Sequence, residues 1–384
     1  MTSEDNNEYT FVDEKGIPVI DVRQCPSFPD DVLYNITDPT ELKRMSALAA
    51  QACQGVISTH GKTVELIFKP HIQQGLKDGS FKMMQTTNGE TLADVVHTGG
   101  KQLGQIAGKG RVIESGKLKQ IATGSFQLIS LMVAQAHLAD ISQNLAEIKE
   151  SLEKLHNKID NTHLARIEGR VHYLEGLVEK LRRGDFDYDV SLQIKNKIED
   201  TVADAYEWQS ILFADLKTLH ASARALKDSD TFGTGDTYQK LKTIAEGISP
   251  LVQRRNVLLK LAALLAYIQA CIDPTNKDFS QFDLQRKVWE EQLTNFVSVI
   301  NEKAVSFLTN SRFNSEEMLV HRRYFITTTL ESAKNIATQS QAHYETCLLQ
   351  LKNNHRRILT ENGKLRLAVS HDDQGNMLKA AVID

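Results

Sequence analysis

An α+β fold, predominantly α, is what this sequence predicts: an elongated bundle of long antiparallel helices with a small antiparallel β region formed by the N-terminal part and a C-terminal hairpin. Three observations carry it. Leu138, Ile141, Leu145, Ile148, Leu152, Leu155 and Ile159 alternate steps of three and four, the seam of a helix lying along partner helices. No proline falls between Pro70 and Pro250, which leaves a long interval open to helix. Over residues 60–114, and again after Gly363, the apolar spacing shortens to the period of strands.

The seam has Leu or Ile at both a and d, which leans towards three or four helices and away from a two-stranded zipper. Its flanking positions, Ser142, Asn144, Lys149, Ser151, His156 and Lys158, show no acid-base complementarity that would select a separate chain. The bundle is therefore expected to be intramolecular.

The chain divides into four parts. Residues 1–35 form an acidic arm in which 9–11 and 17–22 flank a turn, a plausible hairpin. Residues 36–123 form a small α+β region. It opens with a helix that has Pro39 at its first position and Leu42, Met45, Ala49 and Ala52 as its stripe. Strands are expected at 63–68, 81–85, 92–97, 103–107 and 111–114, separated by glycine-bearing turns.

Residues 124–360 form the long-helix bundle. Ser125 suits the first N-cap, Gly184 ends the second helix after two cations, and Pro250 breaks or kinks the fourth. At ~1.5 Å per residue the longest helices are on the order of 40 to 65 Å. Residues 361–384 form a C-terminal β-hairpin, turning at 371–376, that packs on the N-terminal strands.

Composition narrows the function classes. The chain has 384 residues, 41% hydrophobic and 24% charged, enough for a real core. Its net charge of -4 gives no global attraction to nucleic acid or anionic lipid. Cys25, Cys53, Cys271 and Cys347 form no metal or disulfide-framework spacing, and the acidic N-terminus does not resemble a signal peptide. A cytoplasmic location is expected.

No catalytic motif appears. The glycines around Lys109 do not complete a phosphate loop, because Arg111 stands where Ser or Thr would coordinate magnesium. The aspartates at 185, 187 and 189 open like a calcium loop, but Val190 replaces its glycine and Asn196 its closing glutamate. No cofactor, metal ligand or small-molecule substrate is expected. Two segments remain as candidates for interaction. Lys101, Lys109, Arg111, Lys117 and Lys119 make a locally positive, glycine-rich patch with Glu114 the only acid near it. Residues 257–272, with Leu258, Leu259, Leu261, Leu264, Leu265 and Ile268, are apolar nearly all round, which suits either the centre of a bundle or a membrane.

Long helices, a short apolar helix and a small sheet together resemble the layout of α-helical pore-forming toxins of the cytolysin A type. That likeness, one of layout without matching motifs, implies membrane insertion of 257–272 under a trigger. Sixteen residues containing Lys260 and Gln269 fall short of the ~20 that span a bilayer. The function expected first is therefore a non-enzymatic cytoplasmic scaffold or protein-interaction component, self-association included. A membrane-active pore former comes second and an enzyme third.

Overall fold

The computed structural model describes residues 8–12, 18–36, 39, 42–43, 45–47, 63–69, 110–112, 115–155, 161–183, 188–230, 233–273, 283–309, 311, 313–358, 364–374 and 376–383. Strands β1 (Glu8–Val12), β2 (Pro18–Cys25), β3 (Val32–Ile36), β4 (Thr63–Phe68), β5 (Gly110–Val112), β6 (Leu365–His371) and β7 (Met377–Ile383) form one sheet in the order β3-β7-β6-β4-β2-β1-β5. Neighbours are antiparallel except β1 and β5. The predicted union of the two chain ends is thus direct, since β4 pairs with β6 through Leu66↔Leu367.

Alternation decides which side of the sheet is core. Val22, Leu66, Leu367 and Val382 lie in one cross-strand row and are all buried. On the other face Glu65 is also buried, and Arg366 of the paired strand donates to it at 2.7 Å. The β6–β7 turn is organised by Asp372, whose Oδ1 accepts the backbone N–H groups of Gln374 (2.9 Å) and Asn376 (2.7 Å).

Among the described residues seven helices follow β5: α1 (Ser115–Leu155), α2 (Asn161–Arg183), α3 (Tyr188–Ala225), α4 (Gly235–Glu246), α5 (Ile248–Ile272), α6 (Arg286–Phe307) and α7 (Glu316–Ile358). The seam of α1 is buried as predicted: Ile141, Leu145, Ile148, Leu152 and Leu155 are each less than a tenth exposed, and Leu138 is half-buried. At its centre the bundle has α5, which packs against α1, α3 and α7, while α2 covers α1 and α6 closes on α3 and α7. Every residue from 261 to 272 is buried. One continuous apolar core joins the bundle to the sheet.

Three expectations need correction. The first long helix begins at Ser115, ten residues before Ser125, and runs through Gly116 and Gly124. A helical glycine costs only about 1 kcal/mol, which neighbouring good formers such as Leu118, Lys119 and Ala122 outweigh. The break in the fourth helix falls at Gly247, not Pro250. Pro250 consequently sits in the first turn of α5, where its missing N–H has no intrahelical partner to lose. Strand β3 has no counterpart in the sequence reading. The strands expected at 81–85, 92–97 and 103–107 lie outside the described residues.

The α3–α4 loop shows how a local sequence starts a helix. Asp230 accepts the backbone N–H groups of Thr237 (2.9 Å) and Asp236 (3.3 Å), so it supplies the acceptors that the first turn of α4 lacks. Its carboxyl is held below the usual range, first by the Thr237 N–H.

Candidate functional site

The concave surface that stands out is a groove of about 410 Å³ between the first turns of α5 and the N-terminal half of α7. Ser249, Val252 and Gln253 form one wall; His321 to Ile336 of α7 form the other, with Tyr324, Phe325, Thr328 and Ser332 facing in. Its place follows from helix periodicity. Lys260 of α5 and His343 of α7 both approach Glu147 of α1, at 3.0 and 3.9 Å. Ser249 and Gln253 precede Lys260 by eleven and seven residues, and Ile336 and Ser332 precede His343 by seven and eleven. Those intervals are two or three full turns, so the groove lies on the face of α5 and α7 that α1 covers further along. Helix α1 ends at Leu155, beside Val257 and Leu258. Among the described residues none of α1 or α2 lines the groove.

The groove wall is apolar with small hydroxyls. Tyr324 is 68% exposed, and Ile336 at the other end of the groove is also exposed. The Oε1 of Gln253 is buried with no hydrogen-bond partner among the described residues. Opposite, Phe325 makes an edge contact with Tyr238 and has Lys242 over its ring, so this wall is backed by α4.

Two clusters elsewhere carry titratable groups. In the first, Lys260 leaves the apolar helix to meet Glu147, with Gln143 donating to the same carboxylate at 2.9 Å. Burial alone would raise the Glu147 carboxyl, but the Gln143 and Lys260 hydrogen bonds outweigh it and hold the carboxyl low. His343 is 3.6 Å from Cys347 Sγ. This thiol, imidazole and carboxylate do not form a nucleophile, because both neighbours sit on the same ring nitrogen and burial raises the Cys347 thiol. In the second cluster Arg255 is 1% exposed, donates to Gln209 Oε1 at 3.3 Å and lies over the Trp289 ring. Burial lowers its guanidinium to about 10. Among the described residues no carboxylate bonds to it, and its Nε and Nη2 have no partner.

Of the residues the sequence singles out, Leu258, Leu259, Leu261, Leu264, Leu265 and Ile268 are all buried in the bundle centre. Lys101 and Lys109 lie outside the described residues; Arg111 falls in β5 and Lys117 and Lys119 in the first turns of α1, backbone alone being described there. None of the five is among the described residues that line the groove. Among the described residues no group of three or more His, Cys, Asp and Glu is placed to hold a metal. The groove was missed because the α7 stripe that drew attention, Ile326, Leu330, Ala333 and Ala337, is the one facing the core. The apolar Tyr324 and Ile336, which fall outside that stripe, were the available signal.

Compared with protein-family models, with curated proteins and with solved structures, the chain finds no match in any of the three. The layout likeness to cytolysin A type toxins gains no support there.

Proposed function

We propose that the protein is a non-enzymatic, cytoplasmic interaction component that receives a helix of a protein partner in the α5–α7 groove. The observation that carries this reading is the α5–α7 groove itself, which no described residue of α1 or α2 lines. Its wall is apolar and its rim carries Tyr324, a residue type enriched where proteins bind one another. An amphipathic helix laid there would extend the packing α1 already makes. The test is capture by the immobilised full chain, comparing wild type with Tyr324→Glu and with Val305→Glu, a surface change on α6. A protein retained by wild type and Val305→Glu but lost with Tyr324→Glu supports the groove; equal retention by all three contradicts it.

The membrane-active reading rests on a different observation: Gly235–Ile272 contains a window of mean hydropathy 1.4, long and apolar enough to cross a bilayer. Its α5 part is enclosed by α1, α3 and α7, and a buried core helix meets the same criterion. Dye release from anionic liposomes at pH 7 separates the two readings. The interaction reading expects none; release by wild type and not by a folded Leu264→Glu would establish membrane activity.

A further inference from the structure

Arg255 carries a charge into the core of the bundle. It is 1% exposed on α5, and a guanidinium keeps its proton at neutral pH even when buried. Its contacts fix its orientation: Cζ lies 5.7 Å from the centre of the Trp289 ring on α6, and Nη1 donates to Gln209 Oε1 on α3 at 3.3 Å. Gln209 is buried too, and its Nε2 donates to the Asp283 carbonyl at 3.1 Å, so the amide is held at both ends. What remains is the Nε–Nη2 edge, buried and without an acceptor among the described residues. On that edge a guanidinium takes two oxygens of one carboxylate or phosphate side by side.

The acids close enough to act on Arg255 are engaged elsewhere. Asp283 Oδ1 accepts the Gln285 N–H at 2.8 Å, and Glu290 accepts from Arg286 at 2.7 Å. Tyr344 of α7 is also near, but burial pushes its phenol up to about 12, so it stays neutral. The next residue, Arg254, has Asp215 as its ion-pair partner. Arg255 has no such partner among the described residues, and a buried cation without a counter-charge is strongly destabilising. An anion seated on the free edge removes that cost.

We infer that Arg255 is the binding site of a small oxyanion, a carboxylate or phosphate held side-on by Nε and Nη2 between α3, α5 and α6. The site is independent of the groove, which Arg255 does not line. Both nitrogens lie out of reach of solvent, so the ion is small and enters when the helices open locally. Because it binds the folded chain alone, it stabilises the fold.

Thermal melts of the full chain at pH 7 and constant ionic strength, in chloride, acetate or inorganic phosphate, provide the test. Wild type should melt about 2 °C or more higher in acetate or phosphate than in chloride, with a rise that saturates. Phosphate also stabilises proteins by exclusion from their surface, an effect that does not saturate and is common to all variants. Arg255→Met should keep only that part, while Arg254→Gln should keep the whole response. A saturating rise with acetate alone assigns a carboxylate, with phosphate alone a phosphate, and with both an oxyanion of either kind. Trp289 lies over the guanidinium, so tryptophan emission should change over the same concentrations in wild type and not in Arg255→Met. No saturating response in wild type, or the same response in Arg255→Met, would overturn the inference. Should Arg255→Met fail to fold, wild-type emission decides: a saturating change with acetate or phosphate but not chloride upholds the site, and its absence overturns it.

Discussion

At the residue scale His137 shows best how a buried position turns into a measurable property. It is 0% exposed on α1, its ring 5.3 Å from that of Tyr267 on α5, and neither ring nitrogen has a partner among the described residues. Burial first, and the nearby His355 of α7 second, lower it to about 4. The unfolded imidazole takes its proton near 6.5, so between those values the unfolded state binds a proton that the folded state refuses. Stability must then fall as pH drops from about 6.5 to 4, by roughly 3 kcal/mol in all, and level off below. Urea melts of wild type and His137→Phe across that range measure the difference. The variant should lack this part of the slope, and identical slopes would mean that His137 is solvated. Nothing in the spacing of the twelve histidines marks this one, because its isolation comes from α5 and α7, residues more than a hundred positions away.

Elements were more legible than contacts. The α1 seam could be read because a three-four alternation persists only where one face is continuously covered, and the same argument located α3, α6 and α7. Glu147 illustrates what periodicity leaves out. It lies off the apolar seam and reads as a solvent residue for which Glu147→Lys should be silent, yet Lys260, with a side chain 13% exposed, depends on it for its ion pair. Reversing that charge would leave two buried-edge ammonium groups together. Leu152→Asp places an unpaired carboxylate in the core and should remove several kcal/mol, while Glu147→Lys should cost about 1 to 3 kcal/mol and recover with Lys260→Glu. Circular dichroism melts of the three variants decide it: a wild-type melt for Leu152→Asp, or no recovery in the double variant, contradicts the α1–α5 packing. Strand β3 escaped for a related reason, its partner β7 lying more than 340 residues along the chain.

For the whole molecule, composition and helix lengths foretold a bundle on a small sheet, whereas the groove depends on how α5 and α7 sit against each other and against α1. A sequence states each helix's own length but not the level at which Leu155 meets Val257. The central claim is that the chain acts through the α5–α7 groove and not through the basic segment around Lys101 to Lys119. Hydrogen exchange of the full chain, alone and with the protein it captures, locates the surface. Added protection over 320–336 of α7 and 249–253 of α5, with exchange at 100–119 unchanged, is the result this account predicts; protection confined to 100–119 would contradict it.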